Sequence, residues 1–394
     1  MSKNSIKFLA ALLIIALGVL MLYERKPSVV VASPLDSYTD FSIDFTSRIG
    51  LGERNTAASP YSVYIALLML TEGSGGDTKE ELMRALRISS LDDSRAWFNE
   101  SIRRLTVERG SRVEIADSTW VKEGFPVNRS YLEIVKRYYL AEVLSFSDPV
   151  DAVPRINGWI SNKTNGLIDR VIDELDPRTV ILLVNTLYFK ANWTTPFERV
   201  EEGDFHSPDG TKIADYLRGR VKANYLDAGD YAALALSYEG TDVKFVVLIP
   251  KNDLKEFLSD VRREKLLGIF NELFRSAEIE VDLSLPKFDI DSGPLDLKSV
   301  LISMGIRKVF IEGEADLSPM VEGNEELCVD KVLHRARVKV DLYGTEAAAT
   351  TAVIVRLTAV PSQEVSLKVD RPFAFFLVDS ETKAILFAGS FISP

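Results

Sequence analysis

Cysteine is almost absent: Cys328 is the only one among 394 residues. One thiol excludes an internal disulfide and any multi-cysteine zinc or iron–sulfur site. Histidine is nearly as scarce, with His206 and His334 alone. That excludes a histidine-rich metal centre, and no metal or cofactor is assigned. Positive charge is in deficit, 47 Lys and Arg against 58 Asp and Glu, for a formal net charge of −11. Nucleic-acid binding needs a positive field facing phosphate, so that partner class is disfavoured. Catalytic motifs are missing too. No Gly-x-Ser-x-Gly nucleophile elbow occurs. Gly73-Ser74-Gly75-Gly76 leads into Asp77-Thr78 without the Lys-Ser/Thr of a phosphate-binding loop, and reads as a helix-to-helix turn. A Ser/His pair would have to use one of the two histidines. His206 lies in a turn-like FHSPDG run and reads as exposed. His334 sits in an alternating segment and reads as a hydrogen-bonded core residue rather than a general base. No carboxylate pair stands out, and no catalytic residue is assigned.

What is present describes an ordinary globular chain with a leader. Apolar residues make up 46% and charged residues 27%, which separates it from disordered and collagen-like sequences. At roughly 150 residues per domain the length admits one large domain or two or three small ones. Residues 8–23 (FLAALLIIALGVLMLY) carry no charge and follow Lys3 and Lys7. This predicts a secretory signal or a signal-anchor, hence an extracellular or cell-surface protein, with cleavage and retention as a membrane tether both open. Residues 1–36 are assigned to this segment and a short linker, and 37–394 to one folded domain.

The first third reads as mostly helical. Ser59-Pro60 starts a helix over the apolar residues 62–70, and Asp77-Thr78 precede another over 79–86, with Glu80 and Glu81 in its first turn. Residues 155–168 predict an amphipathic helix stopped by Asn165-Gly166. Strands follow: 180–189 (VILLVNTLYF), read as buried on both faces, then 243–249 and 279–285. Residues 327–341 alternate through Leu327, Val329, Val338 and Val340, and 373–377 with 384–391 predict a hairpin. Helices early and strands late imply an α+β fold with large sheets rather than alternating βαβ units.

Residues 344–359 (GTEAAATTAVIVRLTA) are unusual. Sorted by strand parity, one face is Thr345, Ala347, Ala349, Thr351, Val353, Val355 and Leu357, without a charge, while Glu346 and Arg356 fall on the other. No proline interrupts residues 332–360, as a central strand requires. An edge strand, or a short helix over 346–352, fits the pattern equally well.

Nine stretches recur in order across the chain: 59–62 (SPYS), 73–78 (GSGGDT), 125–128 (FPVN), 157–168 (NGWISNKTNGLI), 185–198 (NTLYFKANWTTPFE), 285–288 (LPKF), 315–318 (ADLS), 344–349 (GTEAAA) and 370–373 (DRPF). On these the chain, from about Asp40 to Pro394, resembles a serpin, and an inhibitory one of prokaryotic type. The resemblance implies a single α+β domain with three β-sheets, eight or nine helices and an exposed reactive-centre loop. It implies a suicide inhibitor of serine proteases: the protease cuts the loop and forms an acyl-enzyme, and the loop then enters the main sheet as a strand. The partner would be a serine protease in a covalent one-to-one complex, the inhibitor a monomer at risk of loop–sheet polymerisation.

Residue roles follow from the same resemblance. Gly344, Thr345, Glu346, Ala347, Ala348 and Ala349 match the hinge. Ser59, Ser62, Asn185 and His334 match the polar shutter beneath the sheet opening, and Trp193 matches the breach at its top. The family's hinge-to-bond spacing sets the scissile bond at Thr358–Ala359, which suits elastase-like or subtilisin-like proteases. A slip of one residue puts Leu357 before the bond and favours chymotrypsin-like enzymes; a slip of two puts Arg356 there and favours trypsin-like ones. Leu342 and Tyr343 stand where the family often has glutamates, a departure that bears on hinge closure and inhibitory efficiency. Arg103, Arg104, Arg109 and Arg112 are interleaved with Glu108 and Glu114 and read as a solvated face. The alternative is a non-inhibitory relative acting as carrier, chaperone or structural binder. Hinges of such members tend to carry charged or bulky residues, and this one carries alanines.

Overall fold

The computed structural model describes residues 32–106, 112–323, 326–345 and 365–394. The chain divides into Met1–Ser33 and Pro34–Pro394, and the second unit is the one described below. Among the described residues it has nine α-helices and three sheets of nine, six and two strands, the α+β arrangement expected.

Helix α1 (Pro34–Arg48) is followed by β1 (Thr56–Ala58) and α2 (Pro60–Glu72). Helix α2 starts as the sequence predicts, with Ser59 as N-cap accepting from the Ser62 amide and Pro60 in the first turn. It has no polar face, because twelve of its thirteen residues are buried; it runs through the middle of the domain. Gly73 closes it and Gly75 opens α3 (Gly76–Ala85), so the glycine run is the helix-to-helix turn it was read as. Helix α4 (Leu91–Leu105) leads into β2 (Arg112–Lys122), then α5 (Arg129–Tyr138), β3 (Glu142–Phe146) and α6 (Pro149–Lys163).

Helix α6 begins at Pro149 rather than 155, since Asp148 accepts from the Val150 and Asp151 amides and proline fits the first turn. It ends at Lys163, where Asn165 (φ 51°) and Gly166 (φ 80°) take the left-handed conformation. The early region is less helical than its composition implies, for β2 and β3 fall within it.

The strand-rich half comprises β4 (Ile181–Asn192), β5 (Arg199–Ser207), β6 (Gly210–Asp227), β7 (Tyr231–Ser237), β8 (Val243–Pro250), α7 (Leu254–Ser259), α8 (Arg263–Arg275), β9 (Glu278–Pro286), β10 (Phe288–Asp291), β11 (Leu295–Asp296) and α9 (Lys298–Ser303). Then come β12 (Leu333–His334), β13 (Arg337–Val340), β14 (Gly344–Thr345), β15 (Val365–Lys368), β16 (Phe373–Asp379) and β17 (Ile385–Phe391). The terminal hairpin is β16–β17, as expected. His206 is exposed but lies in β5; the turn itself is Pro208-Asp209.

Nine strands run in the order β1-β17-β16-β8-β7-β6-β9-β15, with β5 also on β6. Strands β8, β16 and β17 are almost wholly buried, and Tyr38, Phe41, Tyr61 and Tyr64 of α1 and α2 belong to the same core. The second sheet, β10-β13-β14-β4-β2-β3, separates two apolar layers. Val113, Leu187 and Phe189 join the core around α2, whereas Trp120 and Val184 pack with Ala152, Ile156 and Ile160 of α6.

Two strand expectations are corrected. Residues 327–341 are not one strand: 326–332 belong to no strand, β12 pairs with β11, and β13 pairs with β10 and β14. Leu327 and Val329 are odd while Val338 and Val340 are even, and one unbroken strand cannot put both pairs on one face. Nor is β4 buried along its whole length. Thr186 to Phe189 are buried, but residues 181–183 and Asn185 are half-buried, because that half borders a cleft.

Candidate functional site

The cleft forms where the six-stranded sheet is incomplete. Strand β4 is paired with β2 along one edge from Ile181 to Lys190. Its other edge meets only β14, with Gly344 opposite Asn192 and Thr345 opposite Ala191. Below those two rungs no described residue pairs with it. Between this edge and residues 326–334 lies a cavity of about 500 Å³, with Val63, Leu67 and Leu70 of α2 among its walls.

The upper end is closed by a tight turn. Strand β13 ends at Val340, opposite Thr345, and the Asp341 amide donates to the Gly344 carbonyl at 3.0 Å. Trp193, 1% exposed, donates through its indole N–H to the Asp341 carbonyl at 3.0 Å, and its amide donates to the Tyr343 carbonyl at 2.8 Å. Its ring stacks on Tyr238, 4.4 Å between centroids, and the Tyr238 hydroxyl is bonded to Thr345 Oγ1. Trp193 therefore sits at the top of the sheet, where the resemblance puts the breach. Leu342 and Tyr343 belong to this turn; their carbonyls accept from the Phe197 and Trp193 amides, contacts that any side chain permits.

Gly344 is where a side chain has no room. A Cβ there would lie 2.8 Å from Asn192 Cα and closer still to the Ala191 carbonyl oxygen, both rigid backbone atoms. Thr345 is buried on the same face as Ala191. The remaining hinge residues, Glu346 and Ala347 to Ala349, lie outside the described residues, as do Arg356, Leu357, Thr358 and Ala359.

The shutter residues are brought together in part. The Ser59 amide donates to His334 Nε2 at 3.2 Å, the Ser59 hydroxyl donates to the Leu386 carbonyl, and the Ser62 amide donates back to Ser59 Oγ at 3.1 Å. His334 is 3% exposed, and burial pushes its pKa down to about 4. It is the neutral core histidine the sequence implied. Ser62, Asn185 and His334 all line the cleft. Asn185, however, is turned toward β2, where its amide nitrogen donates to Asp117 Oδ1. Sequence reasoning missed Asp117, although an acidic residue in the apolar parity Val113, Ile115, Asp117 was a signal in plain view.

A family model, Serpin (serine protease inhibitor), matches residues 36–394. An uncharacterized serpin-like protein of Thermococcus kodakarensis is 33% identical over 94% of this chain and 87% of its own length. Iripin-3 of Ixodes ricinus is 34% identical over 85% of this chain and 88% of its own. Among solved structures, the thermophilic serpin tengpin in its native state superposes with a TM-score of 0.82 at 27% identity, covering 91% of this chain and 94% of that one. Thyroxine-binding globulin in complex with thyroxine gives 0.80 at 25% identity, over 91% and 99%. The chain belongs to the serpin family, whose members are mostly protease inhibitors rather than enzymes.

Two predictions follow from this geometry. An unfolded chain protonates His334 near pH 6.5, whereas the folded one resists until about pH 4. Its contribution to stability is thus complete above pH 6.5 and is lost as the pH falls toward 4. Relative to wild type, His334→Gln should gain about 3 kcal/mol across that window, at about 1.4 kcal/mol per pKa unit, measured by denaturant unfolding at stepped pH. A pH-independent difference would refute the assignment. Gly344→Ala should force the hinge off β4 and cost about 1–3 kcal/mol, visible as faster amide exchange at Thr345 and Trp193.

Proposed function

We propose that the protein is a suicide inhibitor of an extracytoplasmic serine protease, and that the cleft beside β4 receives its cleaved loop. The observation that carries this is the open edge of β4 with its first two rungs already occupied by Gly344 and Thr345. Continuing that register down the cleft would set Glu346 opposite Lys190, Ala349 opposite Leu187 and Val355 opposite Ile181. The first is an opposite-charge cross-strand pair. Thr345 is buried, so its uncharged parity partners Ala347, Ala349, Thr351, Val353 and Val355 would face the core. The parity of residues 344–359 then has a physical purpose.

Strand addition supplies the driving force. Every second inserted residue would satisfy backbone groups along β4 that lack partners among the described residues, and the inward-facing side chains would fill the cavity over α2. A protease caught as an acyl-enzyme on the loop would be carried along with it. Export through the apolar segment of residues 8–23 fits an extracellular target, with the segment either removed or kept as a tether.

A carrier function has one point in its favour, since a structural neighbour is a thyroxine-binding protein in complex with thyroxine. The small hinge residues Ala347, Ala348 and Ala349 favour inhibition over it.

Incubation with elastase-, subtilisin-, chymotrypsin- and trypsin-type proteases should give an adduct stable to boiling in detergent. Mass spectrometry should place the cut at Thr358–Ala359, and the cleaved protein should melt well above the native one. Cleavage without an adduct by any of the four, and without a change in melting temperature, would overturn the proposal. Ala349→Arg should turn the inhibitor into a substrate, because an unpaired guanidinium on the buried face costs several kcal/mol. The expected readout is a several-fold rise in the number of inhibitor molecules cleaved per protease trapped.

A further inference from the structure

Asp117 and Asn185 face each other directly across β2 and β4, at the seam between the cleft and the core. Asp117 is 2% exposed. Asn185 donates to one of its carboxyl oxygens. The other oxygen, Oδ2, and the Asn185 carbonyl oxygen, Oδ1, are both buried and have no hydrogen-bond partner among the described residues. Two orphaned acceptors on facing side chains are unfavourable, since each loses its water without replacement. One proton resolves both. A carboxylic acid donates from Oδ2 to the amide oxygen while accepting from the amide nitrogen at Oδ1, closing a cyclic acid–amide pair.

We propose that Asp117 is a protonated positioning residue, its proton shared with Asn185, and that ionising it leaves a buried anion beside the Asn185 carbonyl oxygen, destabilises the closed seam and eases strand entry. The inference rests on the insertion reading for its consequence, but not for the proton itself.

The surroundings agree. Burial pushes the Asp117 pKa up to about 7, against a smaller lowering by Asn185. From α2, Tyr61 senses the Asp117 charge, and its hydroxyl donates to Ser101. From α5, Tyr131 lies beside Thr119, two residues along the same parity of β2. Burial holds both tyrosines neutral. Glu72, whose charge Tyr131 feels, is held by Arg95 and Tyr139. Arg104, which lowers Tyr61, is paired with Asp379 and Asp242. Across the cleft His334 is neutral. Hence, among the described residues, burial and Asn185 act on the Asp117 carboxyl and no cation is among its influences. With the proton present, Asn185 has both polar atoms tied to β2. Without it, the amide nitrogen still donates to the carboxylate, but the amide oxygen is left beside a buried anion with no donor between them, and the closed seam is destabilised.

The sign is fixed by the direction of the shift. A carboxyl whose folded pKa is raised stabilises the fold below the unfolded value near 3.8, and that stabilisation is lost as the pH rises to about 7. The test has two arms. Infrared titration of the intact protein between pH 5 and 9 should show a protonated carboxyl band that disappears near pH 7 and is missing from Asp117→Asn. Absence of that band from wild type at pH 5 to 6, or its survival in Asp117→Asn, overturns the proposal whether or not the protein inhibits anything. In the second arm, the rate at which a synthetic peptide of residues 345–358 is taken up by the native protein should rise several-fold between pH 6 and 8 in wild type. It should stay flat in Asp117→Asn, where the amide side chain keeps a neutral donor at the same place. A titrating band with a pH-independent uptake rate would retain the proton and refute the gating. Failure of the peptide to enter at any pH would count against insertion alone.

Discussion

The edge of β4, which below Gly344 and Thr345 has no strand partner among the described residues, is the constraint around which the molecule is arranged. Backbone N–H and C=O groups in a protein interior are nearly always hydrogen-bonded, and an edge is ordinarily placed at the rim of a sheet. Here the edge lies inside one, between β4 and the segment that should have been its neighbour. Closing it requires either residues 326–332 to join the ladder or another strand to arrive. The first course is impeded by parity, since Leu327 and Val329 are out of phase with Val338 and Val340. On the insertion reading proposed above the position would take a strand continuing from the two rungs of β14.

The surrounding elements hold that arrangement without filling it. Helix α2 lies against one face of the sheet and is itself buried nearly all round, so it gives little. Helix α6 covers the other face, and the segment after it is bound to the far side of the cleft. Arg335 grips Asp291 through two nitrogens, at 3.0 and 2.7 Å, and reaches Asp169 at 3.1 Å. Arg337 grips Asp289 in the same way, both contacts at 2.8 Å, and donates to the Leu167 carbonyl. Such forked guanidinium–carboxylate pairs favour one geometry. They connect the loop following α6 to β10 and to the start of β13.

Much of this was legible in the sequence, and what escaped had physical causes. Ser59-Pro60 announced α2 because capping is local. The hairpin β16–β17 was visible because its alternation and turn are local too. The hinge and breach assignments came from resemblance; the contacts found are a lack of room for a Cβ at Gly344 and two hydrogen bonds from Trp193 to the turn before it. Strand β2 was missed because its core-facing parity includes Asp117 and Thr119, which break the apolar pattern. The openness beside β4 was invisible, since whether a β-branched run has one neighbour or two depends on residues far away in the chain. Asn185 lines the cleft, and its partner Asp117 was not foreseen, because that partner is set by strand register alone.

If the loop inserts as proposed, the seam beside β4 has to part, and such a seam is better made of polar groups than of apolar ones. Separating packed leucines exposes area at about 25 cal/mol per Å², whereas a side-chain hydrogen bond exchanged for another has little net effect. Ser59, Ser62, Asn185, His334 and Asp117 are of that kind. Their burial has an electrostatic consequence. His334, depressed by burial, makes the fold more stable as the pH rises from about 4 to 6.5. Asp117, raised by burial, makes it less stable from about 3.8 to 7. Each slope is about 1.4 kcal/mol per pH unit, of opposite sign. Over their common window the two cancel, so a seam containing two buried ionisable groups can keep a nearly constant resistance to opening in acid.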